Sequence, residues 1–286
     1  LLALGLGLAL RFFFVAPFGG IDFGNAVHAH SHTLYFGWAG LGILALAFAR
    51  IGANDRRARA ALHALALVAA ATFVVFLEGG YSPAGIAVST ISLFVWVAAA
   101  AILWRRCRGT PDVDLAFLRA ATIYVALASL GAVGRVVVLA AGVRDPLPGK
   151  LTVFAFLHDF AFFFVLALFG LLAWLLPRLG TRLDERMLRL QLRLTVPFAW
   201  LTFPLGVPGG SAGWLGTVAS VAALALLVPA AIGTRNLWRA ARGAAPGVRA
   251  ALRWLAFWFG LQAALEALGA LGLAEVALQS RHLAIA

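Results

Sequence analysis

Long apolar runs separated by short polar stretches follow one another along the whole chain. Most runs are about 17 to 25 residues long, which is the length that an α-helix needs to cross about 30 Å of hydrocarbon. Arg, Pro or Gly residues bound the runs, and ten-residue segments of alternating polarity are absent. The pattern therefore predicts an all-α fold, a polytopic bundle of transmembrane helices.

We expect about nine spans within a single transmembrane domain that covers residues 1–286. The seventh is the least regular, because Arg193 lies near one end and Pro197 and Pro204 lie within it, so a kinked or incomplete helix is expected there. The expected bounds are 1–17, 29–50, 58–78, 84–104, 116–142, 152–177, 190–206, 212–234 and 250–273.

Composition supports an integral membrane protein. Hydrophobic residues make up 63% of the chain, charged residues 12%, and the mean hydropathy is +0.96. A soluble globular domain has an apolar share nearer one half. We expect a multi-pass protein of the inner (cell) membrane of a bacterium or archaeon, with membrane lipids as its surroundings.

The cations predict an orientation, since Lys and Arg near span ends stay on the cytoplasmic side. In the nine-span arrangement, 18 of the 23 Lys and Arg residues share one face, which predicts the N-terminus inside and the C-terminus outside. Arginines that set topology and meet anionic headgroups explain the net charge of +12, so nucleic acid is not an expected partner. The 18 residues are Arg50, Arg56, Arg57, Arg59, Arg105, Arg106, Arg108, Arg119, Arg178, Arg182, Arg186, Arg189, Arg193, Arg235, Arg239, Arg242, Arg249 and Arg253.

The same topology brings ionisable residues from distant parts of the chain to the outer leaflet. Such groups are costly in hydrocarbon and usually face the bundle interior, where a neutral imidazole can ligate a metal. His28 and His32 should share one helix face, with His30 roughly opposite, unless the segment is not yet helical and all three surround one ion. The candidate metal ligands are His28, His30, His32, Glu78 and His158.

Two further charges lie near this leaflet. Asp159 should point about 100° away from His158 along a helix, so its partner is expected on another helix. Arg135 lies about two turns inside the fifth span and needs an anion there, for which Glu78, Asp159 or a haem propionate are candidates.

An internal similarity predicts a repeat. The segments "LGILALAFAR" (41–50) and "FGLLAWLLPR" (169–178) match in pattern, and each ends twenty residues after a histidine, His30 or His158. They lie in the second and sixth expected spans. This spacing predicts a four-helix unit that occurs twice, at about residues 1–115 and 116–240.

The segment "HSHTLYFGW" (30–38) resembles the HxHxxxFG(W/F) signature of NnrS-type haem and copper membrane proteins and of their relatives, the large subunits of haem–copper oxidases and nitric oxide reductases. The resemblance implies that His30 or His32 ligates haem b or copper, with zinc less expected, and the repeat adds His158. Arg135 joins them as a cofactor-binding candidate. Respiratory, nitric oxide or copper chemistry and a redox partner or quinone are implied as well.

The chain also departs from those families. A His-Pro-Glu-Val-Tyr-like copper motif and a later pair of histidines are absent, so a complete dioxygen-reducing centre is not expected. Two other classes stay open: a proton or metal-ion transporter, and a metal-dependent membrane enzyme acting on a lipid or quinone. The sequence leaves catalysis, substrate and oligomeric state open.

Overall fold

The computed structural model describes residues 5–7, 9–10, 20, 22–207 and 213–272. Within these residues the chain is all-α, with nine α-helices, two short 3-10 segments, one π-helical segment and no β-strand. The chain forms two compact units, residues 1–108 and 109–286.

The first unit contains four α-helices. The elements are α1 (Phe23–His32), a π-helical segment (Thr33–Ala39), α2 (Gly40–Arg50), α3 (Arg56–Gly79) and α4 (Pro83–Cys107). Helix starts are set by Asp22, Asp55 and Ser82, whose side chains accept hydrogen bonds from backbone N–H groups of the first turns of α1, α3 and α4. Pro83 takes the first position of α4, where the helix needs no N–H donor.

The second unit contains five α-helices in its described residues. The elements are α5 (Val113–Ala140), α6 (Pro146–Leu175), a 3-10 segment (Leu176–Leu179), α7 (Glu185–Ala199), a second 3-10 segment (Trp200–Gly206), α8 (Gly213–Arg242) and α9 (Pro246–Ala270). Asp145 and Asp184 cap α6 and α7 in the same way as the caps of the first unit. Gly180 ends the 3-10 segment after α6 with φ +77°, a left-handed conformation that favours glycine.

Six helices are long and apolar enough to cross a membrane, which confirms the prediction of a multi-pass helical fold at this level. They correspond, within one or two residues at the ends of the fifth and eighth, to the expected second, third, fourth, fifth, sixth and eighth spans. Their bounds are Phe23–Arg50, Arg56–Gly79, Pro83–Cys107, Val113–Ala140, Pro146–Leu179 and Gly213–Arg242.

The other three expected spans are not among these six. The first, 1–17, falls on residues of which the structure describes only 5–7 and 9–10. In the seventh, α7 has 15 residues and contains Pro197, and the chain continues directly as a 3-10 segment around Pro204, so an α-helix alone does not complete this span. In the ninth, α9 has 25 residues and is long enough to cross a membrane. Its mean hydropathy is lower than that of the six spans, because it contains Arg253, Gln262 and Glu266.

Many large apolar side chains lie on the outside of the spans. Leu67, Phe94, Leu130 and Trp214 are each more than 65% exposed. A soluble protein would bury such side chains, whereas lipid tails cover them in a membrane. The exposed surface therefore agrees with a bilayer environment.

Within each unit, contacts join arginine-bearing segments at one end. In the first unit, Arg106 at the end of α4 pairs with Asp55 before α3 at 2.7 Å. Backbone N–H groups of Ala58 and Arg57, together with Arg106, hold the pKa of Asp55 below its usual value. In the second unit, the turn between α6 and α7 bonds to the end of α8 through Thr181 Oγ1 and the Ala240 carbonyl, 2.7 Å apart. The positions agree with the expected clustering of cations.

Candidate functional site

His28 and His32 lie on one face of α1, one helical turn apart. His32 stacks on Phe76 of α3, with ring centroids 4.4 Å apart, and the His28 ring lies 4.8 Å from the Tyr81 ring. His32 Nε2 is 3.1 Å from Tyr81 Oη, within hydrogen-bond distance. The prediction that these two histidines share a face is confirmed. We call His28, His32, Phe76 and Tyr81 the imidazole–aromatic cluster.

The turn between α3 and α4 positions Tyr81 in this cluster. Gly80 adopts φ +52°, and a Cβ atom there would collide with Asn25 of α1. Only glycine meets both conditions without strain. The sequence "EGGYSP" thus presses the turn against α1 and brings the phenol to His32. Desolvation raises the pKa of Tyr81 above its usual value.

A π-helical segment begins directly after His32. It covers Thr33–Ala39, most of the signature segment, inside the continuous helix Phe23–Arg50. A Cβ atom on Gly37 would lie 2.8 Å from the Ala69 Cβ of α3, and one on Gly40 would collide with the Trp96 ring. These two glycines let α3 and α4 approach the segment closely. Because π-helical turns are rare and occur frequently at functional sites, the segment marks this end of the first unit as a candidate site.

The third histidine of the segment points elsewhere, as predicted. His30 lies against Gly7 in the N-terminal part of the chain, where a Cβ atom would collide with the imidazole. Glycine at position 7 is therefore what allows the His30 ring this close to the backbone. His30 is half-buried, like His28 and His32.

Glu78 stays a predicted ligand. It is exposed, near the end of α3. Among the described residues, no group of three or more His, Cys, Asp or Glu side chains is close enough to hold a metal ion. The imidazole–aromatic cluster offers two imidazoles and a phenol instead.

His158 of the second unit has a different environment. Its Nε2 lies 2.7 Å from Thr202 Oγ1, and its Nδ1 lies 3.3 Å from Asp159 Oδ1. The side chains of His158 and Asp159 are 9% and 6% exposed, and Thr202 is fully buried. The expectation that Asp159 turns away from its neighbour is wrong, because its short side chain bends back far enough to reach Nδ1.

Two arrangements of hydrogens satisfy this group. If Thr202 donates to the Ala199 carbonyl, 2.9 Å away, then His158 Nε2 donates to Thr202 and a further proton lies between His158 and Asp159. If Thr202 donates to His158 Nε2, then the Nδ1–H donates to Asp159. In both arrangements each ring nitrogen of His158 already has a partner. His158 would have to give up a bond to ligate a metal, so it fits a ligand role less well than His28.

Sequence reasoning missed Tyr81 as a histidine partner, and it missed Thr202 and Tyr124 altogether. Tyr124 donates to the Val196 carbonyl at 2.9 Å, and its ring packs on Phe162, which in turn contacts His158. Tyr81 lies 49 residues from His32, and Thr202 lies 44 residues from His158. The only sequence signals were the glycine pair before Tyr81 and the proline-rich stretch around Thr202.

Arg135 lies against the first turn of α6, where a Cβ atom on Gly149 would collide with its guanidinium. Within the described residues it forms no ion pair with Asp159, which contacts His158 instead. Arg135 is half-buried. A haem propionate or another acidic group stays a prediction for that position.

The predicted ligands belong to both units. His28, His30, His32 and Glu78 lie in the first, and His158 and Arg135 lie in the second. Their convergence on one leaflet stays a prediction. Comparisons of this chain with protein families, with curated proteins and with solved structures found no match.

Proposed function

We propose that the chain is a multi-pass membrane protein that binds copper or haem b through the histidines at positions 28–32. The observation that carries this proposal is the imidazole–aromatic cluster, in which His28 and His32 share one face at the end of a membrane-length helix. Imidazoles four residues apart on a helix can ligate one metal ion together. The resemblance of residues 30–38 to haem and copper proteins supports the same chemistry.

The donor set favours a small ion at His28 and His32. His28 makes ring contacts with Phe76 and Tyr81 but no hydrogen bond within the described residues, so both of its ring nitrogens are available. Two imidazoles on one face of a single helix cannot lie on opposite sides of a porphyrin, whereas they can bind one copper ion. Haem b would need one axial imidazole, for which His30 and His32 are the positions matched by the resemblance.

A bound copper ion or haem iron would supply one-electron chemistry. The chain's own residues would orient and shield the group. Tyr81 would hold the His32 ring in place, and Phe76 would exclude water from one side of that ring. This chemistry fits a role in respiratory, nitric oxide or copper metabolism, with a quinone or a redox protein as the partner.

The finer topology is part of the proposal. We propose nine spans with the N-terminus inside, in the cell membrane of a bacterium or archaeon. The clustering of arginines at one end of each unit supports a common cytoplasmic side.

The test combines metal analysis with absorption spectra of the purified protein and of four variants, His28→Ala, His30→Ala, His32→Ala and His63→Ala. His63 is exposed on α3, far along the helix from the cluster, and serves as the matched control. We expect stoichiometric copper that is lost in His28→Ala and His32→Ala and kept in His63→Ala. A Soret band that is lost in His30→Ala or His32→Ala would assign haem instead.

Two results would contradict the proposal. One is a protein that carries neither metal nor haem after expression with both supplied. The other is a metal content that falls equally in all four variants, because such a loss would reflect nonspecific histidine binding. Thermal unfolding of each variant separates loss of the site from loss of the fold.

A further inference from the structure

A cleft opens between α8 and α9 in the second unit, far along the chain from the histidines. Its volume is about 590 Å³. The wall from α8 combines apolar side chains such as Leu227 with Arg235, Trp238, Arg239 and Arg242 near the end of the helix. The wall from α9 is made of small residues. One end of the cleft is therefore cationic, and the other end is apolar.

The arginines follow one side of α8 at spacings of four and three residues, so they form a stripe about two turns long. All three are exposed. None of them forms an ion pair with a carboxylate in the described part of the chain, and the side-chain contact of Arg239 is with the Met187 sulfur at 3.7 Å. Three uncompensated cations on one wall of a cleft favour an anionic ligand.

A hydroxyl group in the cleft also lacks a partner. Thr234 lies one turn before Trp238, and its Oγ1 is buried without a hydrogen-bond partner in the described residues. Across the cleft is Gly260, where a Cβ atom would be 3.4 Å from that oxygen. This hydroxyl is closed off where α8 packs on Gly260 of α9, so it marks the packed floor of the cleft and the ligand argument rests on the arginine stripe.

The position of the cleft identifies the ligand class. The arginine-bearing end corresponds to the headgroup level of the predicted cytoplasmic leaflet, where indole rings such as Trp238 also favour the interface. Arg253, about two turns into α9, lies over the Trp238 ring at 5.3 Å and holds it beside the stripe. From there the wall continues toward the membrane centre as Ala and Leu side chains, which suit an acyl chain.

We propose that this cleft binds one anionic phospholipid, with its phosphate on Arg235, Arg239 and Arg242 and an acyl chain along the apolar wall of α8 and α9. Basic pockets between transmembrane helices are suited to such headgroups, and guanidinium groups bind phosphate in a bidentate manner. The assignment is independent of the copper or haem proposal.

A second cleft of the first unit offers a comparison. It has a volume of about 680 Å³ and lies between α3 and α4. Its cations are only Arg57 and Arg105, and its other lining residues are Ala, Ile, Val and Phe. It contains no orphaned hydroxyl among its lining residues. It suits a lipid tail of any kind, whereas the α8–α9 cleft selects for charge.

The test titrates the purified full chain in detergent with phosphatidylglycerol, with phosphatidylcholine of the same acyl chains and with inorganic phosphate, and native mass spectrometry detects the adducts. We expect one phosphatidylglycerol per chain and no comparable phosphatidylcholine adduct. Arg235→Gln with Arg239→Gln should weaken phosphatidylglycerol binding by about tenfold or more, because each arginine near a headgroup contributes roughly 1 kcal/mol.

Matched control variants distinguish lipid binding in the cleft from the effects of surface charge and of a large side chain placed elsewhere. Arg182→Gln with Arg186→Gln removes two exposed cations from the same end of the unit without touching the cleft. Ala263→Phe fills the cleft, whereas Ala98→Phe places the same bulk in the second cleft. We expect Ala263→Phe to abolish the adduct, and the two control variants to keep it.

Three outcomes would overturn the assignment. The first is an equal loss in the Arg182 and Arg186 control, which indicates surface charge alone. The second is an adduct that survives Ala263→Phe or disappears in Ala98→Phe, which places the lipid elsewhere. The third is inorganic phosphate that binds as tightly as phosphatidylglycerol, which makes the ligand a free anion.

Discussion

Thr202 shows how a single buried hydroxyl positions an ionisable pair. Its Oγ1 lies 2.7 Å from His158 Nε2 and 2.9 Å from the Ala199 carbonyl, in a fully buried environment. The proline-broken end of α7 brings it there. Without this hydroxyl, one ring nitrogen of His158 would face apolar side chains.

We therefore expect Thr202→Val to lower the free energy of unfolding by about 1 to 3 kcal/mol, the range for a buried polar group left without its partner. Thermal unfolding in detergent measures the change. Thr90→Val is the control, because Thr90 is exposed and its hydroxyl donates only to the Ile86 carbonyl. That variant should change the free energy by no more than about 0.5 kcal/mol. Equal effects of the two variants would show that His158 does not depend on Thr202.

Some contacts of the site followed from residue spacing and others did not. The four-residue spacing of His28 and His32 predicted their common face, and the structure confirms it. The partners Tyr81 and Thr202 come from other helices, so helical periodicity carries no information about them. The Asp159 prediction failed for a local reason: the 100° rule describes Cβ directions, and a side chain of two rotatable bonds can bend back.

At the scale of elements, two glycines of the continuous helix Phe23–Arg50, Gly37 and Gly42, have opposite surroundings. Gly37 is buried against Ala69 of α3, with 2.8 Å between a Cβ built on it and the Ala69 Cβ. Gly42, in the same continuous helix, has nothing within 4 Å. One glycine is required for the packing of the π-helical segment, and the other is free to change.

Gly37→Ala should push α3 away from the π-helical segment and destabilise the protein by about 1 to 3 kcal/mol, as overpacking does. Gly42→Ala should leave the stability unchanged or raise it slightly, since alanine is the better helix former. Unfolding temperatures of the two variants in detergent test the contrast. A Gly37→Ala variant as stable as Gly42→Ala would show that α3 does not pack this closely.

Element boundaries were less predictable than element existence. The run that begins at residue 29 was recognised from its apolar length, yet the helix begins at Phe23, because Asp22 caps it before the hydrophobic run starts. The π-helical segment had no sequence signature of its own, since it depends on packing against α3 and α4. At the seventh span, Pro197 and Pro204 predicted the irregularity that the structure shows.

At the scale of the whole molecule, orientation is the property on which the functional proposals depend. The two units each gather arginines at one end, and the positive-inside rule assigns that end to the cytoplasm in both. The apolar runs predicted six of the spans, whereas the relation between the histidine-bearing ends of the units depends on packing between units. Sequence spacing does not encode that packing.

Cysteine labelling tests the orientation. Cys107 is buried, and Cys107→Ser provides a background for single cysteines at exposed positions. In intact cells we expect a membrane-impermeant maleimide to label Ala84→Cys and Ala141→Cys. Asn54→Cys and Arg182→Cys should react only after permeabilisation, because they lie at the arginine-bearing ends. The reverse pattern would invert the topology, and opposite patterns in the two units would contradict a common cytoplasmic side.

The π-helical segment has a consequence for how this chain can diverge. Its i to i+5 hydrogen bonding holds more residues in a turn than an α-helix does, so a helical wheel with 3.6 residues per turn changes phase at Thr33. The π-helical segment therefore sets the angle, about the helix axis, between the histidines before it and the lipid-facing side chains after Gly40. A one-residue insertion or deletion between residues 33 and 39 would re-aim His28 and His32 while every residue of α1 and α2 stayed the same.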